Sequence, residues 1–384
     1  MHVVVLGAGL MGRAIAFDLC KNTSFDTVTL CDENSNCLTD AKKLFLDTDS
    51  IHFEQINVVN EEKINSVFER ADVVISAIPY MFNEQLTQTA IAQRCHFVDL
   101  GGNNSVVQKQ KELHSLAKDA QVTVIPDSGL APGLVSILTK SLVDEYGHLD
   151  KVSLRVGGLP QKPKVPWNYQ LVFSANGLIN EYVEDAIVLD HGQIKTIPSL
   201  TERESIVFPQ PFGKMEAFTT SGGCSTLPFT YKNDIDYLDY KTIRYPGHLQ
   251  QIKPLFDLGL DCLEQIQVRN KMIAPRNVFI ELLKRKLPSE GKDVVLLRVT
   301  GDVSKDGKKQ SVSYQLIDYY DDDTTLSAMM RTTGFPVSIT ADLLATNEIS
   351  KNGVFTTEEI IPTTEFLKEL QKRNVVVTKT VDTD

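Results

Sequence analysis

The sequence predicts an α/β protein that opens with a doubly wound parallel sheet and continues into a second domain built on a mixed sheet. Three observations carry that expectation. A glycine-rich turn joins an apolar strand to an amphipathic helix within the first residues, a strand–helix rhythm lasts to about residue 126, and alternating strands take over from Lys151.

The start of the chain is the most informative part. Val3-Val4-Val5-Leu6 is an apolar run of the kind that forms a buried strand. Gly7-Ala8-Gly9-Leu10-Met11-Gly12 follows at once, and Ala14, Ile15, Phe17 and Leu19 then fall on one face of a helix. A second apolar run, 28–31, ends on Asp32. A G-x-G-x-x-G between strand and helix, with an acid about 20 positions on, is a dinucleotide-binding pattern. Gly7 turns the chain, Gly9 lets a pyrophosphate approach the backbone, and Gly12 brings the helix onto the sheet. Leu10 and Met11 open the helix, whose free N–H groups and dipole face the phosphates. Asp32 would accept from the adenosine ribose hydroxyls and repel a 2′-phosphate, which points to NAD.

The rhythm then supplies strands at 51–59, 73–78, 97–100 and 122–125, with helices at 63–70, 83–94 and 108–120. Ligands of such a sheet lie beyond the carboxyl ends of its strands. That places Ala77, Ile78 and Pro79, which leave the fourth strand, near a nicotinamide ring; Asn57 and Val58 are put beside adenine only by the family resemblance given below. From Lys151, residues 152–156, 294–300 and 312–317 alternate as half-buried strands do. Lys305-Asp306-Gly307-Lys308 reads as a hairpin turn between two of them. Helical patterns return at 338–345 and 363–372, and 374–384 is polar and expected to be loosely ordered.

Composition narrows the function. Lys+Arg number 39 against 50 Asp+Glu, a net charge of −11 with no basic run that would suit nucleic acid. No apolar stretch approaches the about 20 residues of a membrane span. A first strand beginning at residue 3 leaves no room for a leader ahead of it, and the six cysteines show no C-x-x-C or paired spacing. The expectation is a cytoplasmic protein with reduced thiols, no metal, and a small-molecule substrate.

Five residues stand out as chemistry-bearing. Asp127 lies just past the last strand of the rhythm, where it can hold an ammonium group or take its proton, although Asp in a turn is often only a cap. Arg244, Tyr245 and His248 crowd one turn: the guanidinium suits a carboxylate, and the imidazole suits a base or relay. Arg331 is a second cation, before the last helical unit. Trp167 and Tyr169 can line a pocket or pack as core.

The chain resembles the saccharopine dehydrogenase-like family. The resemblance runs in order through GAGLMGRAIAFDL, DVVISAIP, DSGLAPGLVSIL, GGLPQKPKVPWNYQLVFSANGLINEY, EAFTTSGGCSTLP, TIRYPGH, RTTGFPVSITADLLA and NGVFTTEEIIP. Within the family the chain is most similar to the lysine 6-dehydrogenase group. The resemblance implies an NAD-binding Rossmann domain at 1–126, a catalytic domain at 127–334 inserted into it, a helical return at 335–373, a flexible tail at 374–384, and a homodimer or higher homo-oligomer. It also implies NAD-linked oxidation at an amine-bearing carbon, first of all the ε-carbon of L-lysine. A secondary amine joining two amino acids and a non-catalytic NAD sensor are the alternatives. Oxidising an amine requires a group that accepts the ammonium proton near neutrality and a carbon held in near-attack geometry.

Overall fold

The structure is a computed structural model that describes every residue except 47, 288–290, 306, 307 and 384, so Asp306 and Gly307 of the expected hairpin turn lie outside the described residues. The chain forms two compact units. Met1–Glu145, Ser225–Thr230 and Met330–Val377 make the first, and Tyr146–Cys224, Tyr231–Met329 and Thr378–Asp384 the second. Among the described residues no helix is long and apolar enough to cross a membrane.

The first unit holds the doubly wound sheet. Its strands are β1 (His2–Leu6), β2 (Thr27–Asp32), β3 (Ile51–Gln55), β4 (Val73–Ser76), β5 (His96–Asp99) and β6 (Thr123–Ile125). Val4, Leu6, Val74 and Phe97 from these strands are fully buried together with Phe68, as both-faces-covered parallel strands require. β1 pairs with both β2 and β4 in parallel, so the strand order reverses there and opens the ligand crevice of an α/β sheet. A seventh strand, Gly353–Val354, joins the far edge by pairing in parallel with β6. Two residues are too few to show a period, so the C-terminal return, expected to be helical throughout, conceals this strand.

The return is fastened by a buried charge. Asp18, on the first helix Leu10–Asn22, accepts from Arg373 Nε at 2.9 and 2.8 Å and from the Ser338 hydroxyl. Removing one partner of such a pair costs about 3–5 kcal/mol. The helix carrying Ser338 runs from Ala328 to Ala345 and begins well before the expected 338. Gly334 and Pro336, which read as loop residues, lie inside it. Gly334 is there for close packing: a Cβ at that position would stand 2.9 Å from the Ala14 Cβ. The helix expected at 108–120 is two helices, Asn104–Glu112 and His114–Asp119, with the same apolar period on both sides of the break.

The second unit holds the mixed sheet. Its strands are β7 (Leu149–Pro160), β8 (Ala186–Asp190), β9 (Gln193–Ile197), β10 (Glu204–Phe208), β11 (Gly213–Thr219) and β12 (Ile235–Arg244), then, after a separate ribbon of β13 (Ile266–Val268) and β14 (Lys271–Ile273), β15 (Asp293–Lys305) and β16 (Lys308–Tyr319). β12 and β7 are parallel, whereas β11–β12, β7–β15 and β15–β16 are antiparallel. Within the stretch expected to be a flexible tail, Thr378–Thr383 pairs antiparallel with β16. All six residues of that strand are exposed, so main-chain bonds at a sheet edge hold it and side-chain patterning gives no sign of it.

Register decides what each face of this sheet carries. Glu216 pairs with Arg244 and Phe218 with Thr242, so these side chains share one face, while Ala217 and Ile243 point to the other. The second face packs Ala217 and Ile243 with Leu159, Met215, Val294 and Leu296. Over the first face lies the helix Ala175–Val183, whose Leu178, Ile179 and Tyr182 pack with Tyr169, Phe218 and Ile252.

Candidate functional site

The glycine turn after β1 has the geometry its spacing predicts. Gly7 adopts φ +100, and a Cβ there would lie 2.7 Å from the Ala77 carbonyl oxygen. A Cβ on Gly12 would overlap the Gly7 carbonyl, so helix and turn touch only because both residues are glycine. A Cβ on Gly9 would meet nothing within 4 Å, which leaves open space at the position where a pyrophosphate comes close. Leu10 and Met11 begin the helix with their N–H groups uncapped by any side chain. Asp32 accepts from the Ala8 N–H at 2.7 Å and the Asn34 N–H at 2.8 Å, tying the turn to the end of β2. A cavity of about 320 Å³ opens here, lined by Gly7, Asp32, Asn57, Val58, Ile78 and Pro79 among others. β3 stops at Gln55, short of the expected 59, so Asn57 stands in a turn with its Oδ1 accepting from the Val59 N–H at 3.0 Å. These residues fit a dinucleotide. Because Gly9 has φ −70 and empty space ahead of it, Gly9→Val should fold normally. It should nevertheless weaken dinucleotide binding tenfold or more, about 1.4 kcal/mol. Cofactor titration by fluorescence measures this, and unchanged affinity in the folded variant would place the cofactor elsewhere.

A buried acid cluster forms at the carboxyl end of the same sheet. Asp127 follows β6 in left-handed backbone, φ +59, a conformation Asp tolerates better than most residues. Its Oδ2 accepts from the Ser225 hydroxyl, and its buried Oδ1 has no hydrogen-bond partner among the described residues. Burial, against the Ser225 hydrogen bond and with the added repulsion of Asp99 and Glu358, pushes the Asp127 carboxyl up to about 8. Asp99, at the end of β5, accepts from Gln110 and from the Gly101 N–H, both at 2.7 Å, and burial raises it to about 6. Gly101, at φ +72, leaves room for the Asp127 carboxyl, which a Cβ there would strike. Asp99 escapes a sequence reading because it closes an ordinary apolar strand.

The second unit carries a cationic cluster on the helix-covered face of its sheet. Arg244 is 2% exposed. Its Nε donates to the Tyr182 hydroxyl at 2.9 Å and its Nη1 to the Ile243 carbonyl at 2.9 Å, and its guanidinium lies 4.8 Å from the Tyr169 ring centre. Since Arg only donates, the Tyr182 hydroxyl passes its own hydrogen to His248 Nε2 at 3.1 Å, and Nδ1–H of His248 donates to the Trp167 carbonyl at 3.3 Å. Burial, with the Arg244 charge, holds the His248 imidazole down to about 3. It is therefore neutral at working pH, and its two hydrogen bonds hold the Tyr182 hydroxyl, and through it Arg244, in place. Tyr245 takes no part: its hydroxyl donates to the Pro160 carbonyl at 2.9 Å, and it packs on the opposite face. Arg331 belongs to the first unit, where its Nη2 donates to the Asn374 carbonyl at 3.2 Å. Glu181 carries no sequence signal, and Tyr169 was legible only as a pocket-lining or core aromatic. Glu181, on the helix Ala175–Val183, is raised to about 7 by burial against the opposing pull of Arg244. Tyr169 keeps a buried hydroxyl without a partner among the described residues.

Among the described residues, one group of metal-ligand type, His148, Asp150 and Asp236, brings its atoms within 4.8 Å of one another. Of the three, His148 is exposed and the two acids are half-buried.

Residues 129–376 match the model of the saccharopine dehydrogenase C-terminal domain, and residues 3–125 that of the saccharopine dehydrogenase NADP binding domain. The chain belongs to the saccharopine dehydrogenase family. It is 25% identical over 306 residues to a saccharopine dehydrogenase (NADP+, L-glutamate-forming) of Pyricularia oryzae, covering 76% of this chain and 65% of that protein. To the Saccharomyces cerevisiae enzyme of the same description it is 23% identical over 297 residues, covering 75% and 65%. The match thus spans 65% of the length of these relatives. The fold is that of apo saccharopine dehydrogenase (L-Glu forming) from Saccharomyces cerevisiae, with a TM-score of 0.80, 18% identity and 99% of each chain covered. It is also that of a homospermidine synthase from Legionella pneumophila in complex with NAD, with a TM-score of 0.70, 14% identity and coverage of 99% and 91%.

Proposed function

We propose that the protein is an NAD-dependent dehydrogenase that oxidises the C–N bond of an amino-acid amine, first of all the ε-amino group of L-lysine. The observation that carries this reading is Asp127: a buried acid held near neutrality, with one oxygen unpaired, at the ligand end of a dinucleotide-binding sheet. In the overall change, R–CH2–NH3+, NAD+ and water give R–CHO, NH4+, NADH and a proton. NAD supplies the hydride acceptor. Asp127 takes the ammonium proton that must leave before the carbon can be oxidised, with Ser225 orienting its carboxyl. Arg244, braced by Tyr182 and His248, binds the α-carboxylate. The aldehyde of lysine is 2-aminoadipate 6-semialdehyde, which closes onto its own α-amino group to give piperideine-6-carboxylate.

Cofactor choice rests on Asp32. The relatives named above are described as NADP enzymes, whereas this chain ends β2 on Asp32, a carboxylate that would repel a 2′-phosphate. NAD should be preferred about tenfold or more in kcat/KM, and Asp32→Ser should shift the ratio toward NADP. Equal use of both by the unaltered protein would sink the assignment.

A second reading has a specific observation in its favour. Lys162 and Lys164 line a cavity of about 340 Å³ together with Tyr169 and Gln170, cations that suit the additional carboxylates of a secondary amine joining two amino acids. NADH formation with L-lysine, with saccharopine and with no amine separates the readings. Activity on saccharopine alone would transfer the proposal to the secondary amine, and none on any amine would overturn it.

A further inference from the structure

Arg244 is presented to a ligand in an unusual way. Its Nε and Nη1 are already committed to Tyr182 and to the Ile243 carbonyl; Nη2 makes no hydrogen bond among the described residues, and Glu181 is the acid whose charge the guanidinium feels. The side-on fork through Nε and Nη2, a frequent grip on a carboxylate, is therefore closed, and a second donor is needed from elsewhere. Tyr169 offers one. Its ring is stacked on the same guanidinium, its side chain is 3% exposed, and its hydroxyl is buried with no hydrogen-bond partner among the described residues. A buried unpaired hydroxyl is unfavourable, and phenylalanine would fill the site without it. Tyr169 also borders the cavity of about 340 Å³ that Gln170 and Lys164 help to line, so the ring has guanidinium on one side and open space within reach. A carboxylate, with two oxygens and about four lone-pair directions, can accept from both groups at once.

Resting on the reading of an amino-acid amine as substrate, we infer that the Tyr169 hydroxyl and Arg244 Nη2 donate together to the substrate α-carboxylate, making Tyr169 the residue that separates amino acids from amines lacking that group.

The test is Tyr169→Phe, assayed with L-lysine and with 1,5-diaminopentane, which is lysine without its carboxylate. The lysine-to-diaminopentane ratio of kcat/KM should fall about tenfold, carried by the KM for lysine, because a hydrogen bond to a charged group is lost. The thermal midpoint of the unliganded variant should be unchanged or higher, since an unpaired buried hydroxyl has been removed. A merely structural tyrosine gives the opposite: a lower midpoint and an unchanged ratio, and that result overturns the inference. If neither amine yields NADH, the functional reading fails separately, and lysine binding by calorimetry decides the matter. Tenfold weaker binding to the variant than to the unaltered protein upholds Tyr169, and no difference between the two, absent binding included, rejects it.

Discussion

Asp127→Asn is expected to lower kcat for amine oxidation by about 10²–10⁴-fold, the usual range for loss of a general base, while leaving dinucleotide affinity nearly unchanged. The substitution keeps the shape and removes the ionisation. Since the carboxyl titrates at about 8, its basic form accumulates as pH rises. The unaltered protein should gain activity with pH up to about 8, and the variant should lack that limb. A retained limb would assign the proton to another group, first of all Asp99, which accepts from the Asp127 N–H. Stability has its own sign. The folded carboxyl lies above its ordinary value of 3.8, so between that value and about 8 the folded chain holds a proton the unfolded chain has released. Stability should therefore fall as pH rises through this window, and Asp127→Asn should flatten the slope. Thermal midpoints at pH 6 and pH 9 measure it, and equal slopes in both proteins would show that burial does not hold the acid protonated.

Arg244→Ala should raise KM for the amino acid by about a hundredfold or more, since truncating one partner of a buried charge pair costs about 2–5 kcal/mol. Dinucleotide affinity, which depends on the other unit, should stay within about twofold, and that measurement doubles as a check that the variant folds. Arg244→Lys should not rescue binding. One ammonium cannot hold the Tyr182 hydroxyl, the Ile243 carbonyl and a ligand in the three directions that the planar guanidinium serves. A KM that barely moves in the alanine variant would place the carboxylate on another cation, such as Lys162 or Lys164.

How much of this was legible beforehand depends on how local each feature is. The glycine turn could be read because a pyrophosphate contacts consecutive residues, so its demands are written as a spacing: Gly7, Gly9 and Gly12, then Asp32 at the end of the next strand. The parallel strands could be read because burial on both faces leaves continuous apolar runs such as Val73-Val74-Ile75. Features without a period escaped: Gly353–Val354 is two residues long, and Thr378–Thr383 is exposed throughout and held by its main chain.

The sequence by itself determined the fold class, the dinucleotide-binding turn, and Asp127 and Arg244 as residues worth testing. Tertiary structure decided what those residues can do. His248 stands four residues from Arg244, and burial, with that guanidinium's charge, lowers its affinity for a proton. Tyr245, between them in sequence, faces the other way because side chains alternate across a sheet. Tyr169, Glu181 and Tyr182 join the cluster only because a helix and a loop fold over one face of β11 and β12. Asp127 is held protonated to about 8 by burial first, with repulsion from Asp99 and Glu358, brought from other strands and helices, added to it. Ionisation and hydrogen-bond satisfaction are set by desolvation and by neighbours distant in the chain, and neither leaves a mark in local sequence.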